Sequence, residues 1–263
     1  MVTHHRLGSR MSWALLLLLP LGLLAGLLSG LLGIGGGLIF SPLLLWIGLS
    51  PHQALATSTL AILPTTLAGS WTHLHSGLVP KQAVLAIAAG AITGSLVFSH
   101  AGNVLQGWHL LALQAAMYGV LAGVISPRRS DQNEADAPPL PLLGLSGVGL
   151  VAGWSSGLLG VGGGLVMVPL MVQGLGIRVY QAIRLSTLAV CASAAVATVT
   201  FTSDGRADLA MGLLLGGTAA LAAQWSAARL QRVSEQKLVW LLRLLCTLLA
   251  LDAGRRALLL LLS

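Results

Sequence analysis

Charge is what this sequence has least of. Lys, Arg, Asp and Glu make up 8% of its 263 residues, where a soluble globular chain carries roughly 25%. No charged residue occurs at 11–80, 82–127, 137–177, 185–203 or 209–228. Uncharged stretches of that length cannot be solvated, which excludes a cytosolic enzyme, a nucleic-acid-binding domain and a secreted module. Acids are scarcest, seven against 14 Lys and Arg, and no paired carboxylates or Ser/His/Asp set with catalytic spacing occur. The two cysteines, Cys191 and Cys246, lie inside apolar runs. That excludes a disulfide framework, and no Cys/His cluster has metal-ligand spacing. A G-x-x-x-x-G-K-[ST] loop is missing too, so the chain is not itself an ATP-driven pump. No catalytic residue, metal or cofactor is expected.

What is present is leucine, alanine and glycine in continuous runs. They are membrane-length and lack the ten-residue alternation of a barrel, so the expected class is all-α and polytopic. Eight apolar segments follow one another: 12–48, 51–76, 82–99, 107–125, 140–173, 179–202, 208–228 and 238–262. A polar stretch, Ser126 to Pro139, separates them into a first membrane repeat (1–125) and a second (140–263). The net charge of +7 comes from basic residues that flank these runs, among them Arg6, Arg10, Lys81, Arg128, Arg229 and Arg255. Such placement marks topology and lipid headgroup contact rather than nucleic acid. Arg6 and Arg10 before an apolar run resemble a signal peptide. Removing that run would leave one repeat without its partner, so it is expected to be retained.

The repeat is explicit. Over 25–44 against 152–171, 13 of 20 positions are identical, including Ser29-Gly30-Leu31-Leu32-Gly33 against Ser156-Gly157-Leu158-Leu159-Gly160, Gly35-Gly36-Gly37 against Gly162-Gly163-Gly164, and Pro42 against Pro169. One inserted residue later, Gln53-Ala54 and Ser58-Thr59 match Gln181-Ala182 and Ser186-Thr187.

The first segment of each repeat is too long. A hydrocarbon core takes roughly 20 helical residues, whereas 12–48 would make a helix of about 55 Å. Each glycine costs about 1 kcal/mol in a helix relative to alanine. Four within five residues therefore predict a break in mid-membrane at Gly33, Gly35, Gly36 and Gly37, and another at Gly160, Gly162, Gly163 and Gly164. Broken backbone at that depth needs protein or a water-filled cavity around it. Its freed N–H groups, with the positive end of the following half-helix, suit an anion. Paired breaks in two repeats point to a transporter binding site; the alternative is a hinge or a helix crossing. Small-residue pairs such as Gly90/Gly94, Gly119/Gly123 and Gly149/Gly153 are expected to permit close helix approach.

Neutral hydroxyls accompany the breaks. Ser29, Ser58, Thr59, Ser156, Ser186 and Thr187 occur in both repeats and form the expected substrate-binding set with the eight glycines, although such hydroxyls also bond back to their own helices. Arg184, whose counterpart is Ala56, could give an anion a formal positive charge or snorkel to the interface. His73 is a candidate proton site, with Phe201 as its counterpart. Asp252 stands three and four residues before Arg255 and Arg256, spacing for a local ion pair.

The doubled Ser-Gly-Leu-Leu-Gly-x-Gly-Gly-Gly motif with its proline, and the two Gln-Ala…Ser-Thr matches, resemble the TauE/SafE family of sulfite exporters over nearly the whole chain. The resemblance implies a multi-pass permease of seven to nine helices that moves sulfite, organosulfonates or related small anions, most naturally in a bacterial inner membrane. The function expected is a secondary transporter for small anions working by alternating access. A passive anion channel is the alternative, and a membrane-embedded enzyme is disfavoured. The expected partners are the anion and the bilayer, with no nucleic acid; assembly into a homo-oligomer is left open. Topology has two solutions. Single crossings by each first segment make the repeats parallel and suit the loop charges. Re-entrant hairpins make them inverted, suit the excess length and place both breaks at one midplane site, and this second arrangement is the one adopted.

Overall fold

A computed structural model describes residues 19–77, 79–101, 104–125 and 140–262. The polar linker 126–139, with Arg128 and Arg129, and the N-terminal Arg6 and Arg10 lie outside the described residues. Within those, the chain is helical without strands: α1 Leu19–Leu32, α2 Gly37–Ile47, α3 Pro51–His75, α4 Lys81–Ser99, α5 Gly107–Val124, α6 Leu142–Leu159, α7 Gly164–Gly174, α8 Val179–Ser203, α9 Leu209–Ala227 and α10 Glu235–Leu262. Eight apolar segments thus become ten helices, because the first of each repeat is split at its glycines. Five helices are long and apolar enough to cross a membrane: α4, α5, α6, α8 and α9. The 25-residue α3, as long as α8, and the 28-residue α10 carry hydroxyls, histidines or charges.

Helix directions follow from the contacts. At one end of the bundle Pro51 meets Gly107, His52 Nε2 lies 3.0 Å from the Leu105 carbonyl, and the Asp208 N–H donates to Thr57 Oγ1. This is the Pro51 end. At the other, Tyr180 Oη donates to the Val233 carbonyl at 2.8 Å. This is the Tyr180 end. Leu60 packs on Gly212 and Pro64 on Gly216, so α3 and α9 run parallel. Gly22, Gly26 and Gly30 of α1 meet Leu215, Ala219 and Ala223 in turn, so α1 shares that direction.

The return of α2 is forced by geometry. Gly37, its first residue, lies against Ile62 of α3. Pro51 precedes Ile62 by eleven residues, about 16 Å of helix. The eleven-residue α2 covers the same distance, and residues 48–50 can join it to Pro51 only if α2 runs back towards the Pro51 end. The same argument holds in the second half, where Gly164 lies against Val190 and α8 begins at Val179, eleven residues earlier. Each first segment is therefore a hairpin, α1–α2 entering from the Pro51 end and α6–α7 from the Tyr180 end. Single crossings, which the loop charges suit, are not what the chain adopts: excess length decides, because 37 apolar residues cannot cross straight.

The two halves are inverted. Thr198 Oγ1 donates to the Thr59 carbonyl and Ser70 Oγ to the Thr187 carbonyl, both at 3.4 Å, so α3 and α8 run antiparallel. The corresponding α5 and α10 do the same: Gln114 and Tyr118 share a cleft with Leu249 and Asp252, whereas Ile125 shares one with Val239 and Leu242. The first helix of each half packs on the fourth of the other, α1 on α9 and α6 on α4. Glycine makes these crossings close. A Cβ at Gly149 would stand 2.1 Å from the Ile87 carbonyl oxygen, and one at Gly90 would stand 2.0 Å from that of Ser146. Gly119 and Gly123, which share the spacing, have nothing within 4 Å among the described residues and form no crossing with them. The exposed Trp46, Trp225 and Trp240 sit near helix ends, as an interfacial belt requires.

Two helix ends carry local signatures. Ser50 caps α3 in a capping box with Gln53, which gives the glutamine of the repeated Gln-Ala motif a structural role in the first half. Past Pro169, α7 widens into a π-turn over Leu170–Gly174, as happens where proline removes an N–H from the helical ladder.

Candidate functional site

The glycine clusters are where the hairpins turn, and each glycine has its reason. Gly33, Gly35 and Gly36 have φ of 69°, 77° and 82°; Gly160, Gly162 and Gly163 have 62°, 86° and 68°. Side chains other than glycine enter that region at a cost. The fourth glycine of each cluster opens the return helix and is needed for space. A Cβ at Gly37 would lie 2.6 Å from the Val161 carbonyl oxygen, and one at Gly164 would lie 2.3 Å from that of Gly33. The two turns therefore touch, main chain to main chain, in the interior.

Two hydroxyls tie each turn to the opposite half. Ser58 Oγ donates to the Gly160 carbonyl at 2.7 Å, and Ser186 Oγ donates to the Gly33 carbonyl at 2.9 Å. Each also shares its hydrogen with its own helix, at Leu55 and Ile183. The neighbouring Thr59 and Thr187 bond only backwards, to those same carbonyls. Of the expected set, the two serines and the eight glycines meet at the centre, while both threonine hydroxyls turn into their helices. Ile62 and Val190, which nothing in the sequence singled out, press on the positions where a Cβ of Gly35 or Gly162 would stand. The turns are buried.

Both return helices begin at this centre, so two positive helix ends converge there, although the Ile39, Gly164 and Val166 N–H groups bond back to the Gly36, Gly162 and Gly163 carbonyls. Ser29 and Ser156 stand one turn before the breaks, and their carbonyls accept the Gly33 and Gly160 N–H groups. Gly163 packs on Ala152, and Ser156 follows one turn later on that face of α6. Its hydroxyl is fully buried and has no partner. Ser41 of α2 has a second such hydroxyl, which its apolar counterpart Val168 gave no reason to expect. No group of three or more metal-ligating side chains occurs among the described residues.

Arg184 and His73 lie outside the centre. Ser70 faces Thr187, so one turn further His73 of α3 faces Arg184 of α8, towards the Tyr180 end. Asp252 pairs with Arg255 and Arg256 at 3.2 and 2.9 Å, the local arrangement its spacing suggested.

The cross-half serine bond has a measurable value. Ser58→Ala leaves the Gly160 carbonyl without its donor and is expected to destabilise the fold by about 1–3 kcal/mol. Thr59→Val removes only a bond within its own helix and should cost less than about 1 kcal/mol. Unfolding of both variants by SDS titration in mixed micelles would show that order, and equal losses would remove the special role of the serine.

Known proteins resemble this chain in sequence. The profile of the family described as "Sulfite exporter TauE/SafE" matches residues 18–253. A "Probable membrane transporter protein" of Xylella fastidiosa (strain 9a5c) is 29% identical over 203 residues, 74% of this chain and 78% of that protein. The "Probable membrane transporter protein YunE" of Bacillus subtilis is 24% identical over 259 residues, 89% and 94% of the two chains. "Sulfite exporter TauE/SafE family protein 1" of Arabidopsis thaliana is 39% identical over 82 residues, 31% of this chain and 18% of that one. No solved structure matches. With a family match across both hairpins and all the long helices between them, the chain belongs to the TauE/SafE sulfite exporter family of membrane transporters.

Proposed function

We propose that the chain is a secondary transporter for small oxyanions, sulfite or organosulfonates, working by alternating access in a bacterial inner membrane. One observation carries the reading: two hairpins entering from opposite ends of the bundle meet through glycine main chain at its centre. That is the arrangement in which half-helix ends can hold an anion without a fixed charge, and each half can open towards its own side. The converging N-terminal ends of α2 and α7 and the unpartnered Ser156 hydroxyl are the donors proposed to hold it, together with Ser29, Ser58 and Ser186 when the turns part. α5 and α10 pack mainly on each other and make smaller contacts with α2, α3, α6 and α7, which fits movement of this pair against the rest.

The protein in liposomes is expected to move sulfite or a sulfonate saturably and to concentrate it when a proton gradient is imposed. Non-saturating flux that ignores the gradient would establish the channel alternative, and no flux of any anion in a panel would defeat both.

A further inference from the structure

The seam between α3 and α8 is symmetric in backbone but not in chemistry. Thr59 pairs with Thr198 and Ser70 with Thr187. One turn beyond each pair, the register places Ala56 opposite Phe201 and His73 opposite Arg184. At the Pro51 end Ala56, Ala197, Phe201 and Ala207 form a small apolar cluster apart from the main core, with the Arg206 guanidinium over the Phe201 ring at 4.5 Å. At the Tyr180 end the equivalent place holds a histidine and an arginine. His73 is 2% exposed and its Nε2 has no hydrogen-bond partner. Arg184 is half-buried, and its charge acts on the His73 ring.

A buried polar nitrogen without a partner is costly, and a cation facing it inside a membrane protein marks a functional place. Lys81, Arg178, Arg229, Arg232 and Lys237 lie at the Tyr180 end, where Glu235 is the one acid among the described residues. At the Pro51 end Arg206, Arg255 and Arg256 are each paired with Asp204 or Asp252. Arg184 lies on the same helix as the Ser186 that holds the Gly33 carbonyl, two residues before it.

We propose that His73 Nε2 and the Arg184 guanidinium form an oxyanion subsite at the Tyr180 mouth of the α3–α8 seam, which captures a sulfonate or sulfite before it reaches the glycine turns. The subsite takes its anion class from the transporter reading, but binding can be measured without transport. Arginine presents two parallel N–H donors to an oxyanion and the imidazole adds a third. At the opposite end the Arg206 guanidinium over the Phe201 ring is already paired with the Asp204 carboxylate, so capture is one-sided.

Equilibrium binding of labelled methanesulfonate to the purified full-length protein tests this. Arg184→Gln is expected to weaken binding roughly tenfold or more, as loss of a charged hydrogen bond does. Arg184→Lys should fall between it and the parent, and His73→Gln should weaken binding by a smaller factor. Phe201→Leu should bind as the parent does. A readout on the unaltered protein guards against misfolded variants: methanesulfonate should protect Arg184 from phenylglyoxal, followed by mass spectrometry. Parent protein that binds no methanesulfonate, binding indifferent to Arg184→Gln, or an unprotected Arg184 would overturn the subsite. Saturable transport alongside such indifference would leave the transporter reading intact. An Arg184-dependent site in a protein that moves no anion would support the subsite and reject that reading.

Discussion

Gly160→Ala is expected to destabilise the protein by about 2–5 kcal/mol and to lower the amount of folded chain in the membrane sharply. Two penalties fall on one methyl group. The residue sits at φ 62°, where an L side chain is strained by about 1–2 kcal/mol. The new Cβ would also stand 2.5 Å from the Leu55 carbonyl oxygen. That oxygen is main chain in the first turns of α3 and cannot swing aside. Either α3 or the hairpin must shift, and the Ser58 bond to the Gly160 carbonyl is lost with it. Gly147→Ala is the matched control in the same α6: its Cβ meets nothing within 4 Å, and alanine there should be neutral or gain up to about 1 kcal/mol. SDS titration of the two variants separates a turn that needs glycine from a helix that merely contains it. Equal stabilities would mean that the hairpin turn does not have this geometry.

Gly149→Leu should leave essentially no folded protein, whereas Gly119→Leu should be tolerated. Between helices in lipid the hydrophobic effect offers little, and close packing supplies the attraction. Gly149 lets α6 approach α4 until the space for a Cβ lies 2.1 Å from the Ile87 carbonyl oxygen. A leucine there drives the helices apart along the seam, and Gly153 and Gly157, which meet Ala91 and Ser95, lose their contacts too. Gly119 faces outward on α5 with open space around it, where leucine meets lipid. Membrane-fraction yield and monodispersity on size exclusion read both. A well-folded Gly149→Leu protein would show that the α4–α6 crossing is not a structural requirement.

Both positions belong to spacings visible in the sequence, yet the spacing was not sufficient. Gly119/Gly123 and Gly149/Gly153 are indistinguishable as small residues four apart, and only one pair packs. Which face of a helix meets a neighbour depends on where the other helices lie, and that is set by the whole bundle. The Ser-Thr pairs teach the same lesson at the site. Adjacent residues on a helix point about 100° apart, so Ser58 reaches across to Gly160 while Thr59 turns back to Leu55. Two repeated hydroxyls marked the place without showing which one spans the halves.

Sequence by itself determined the membrane class, the duplication and the positions of the two breaks. Each of those is local: apolar length measured against a bilayer, identity at a fixed offset, and the helix cost of clustered glycine. Tertiary structure alone decided that α2 and α7 turn back, that the halves are inverted and that the glycine turns touch. It also decided that His73 faces Arg184 while Ala56 faces Phe201. The return of α2 and α7 relates residues about 25 positions apart, and the others relate residues about 100 to 150 apart; all follow from helix direction and register, which the packing of the whole bundle sets.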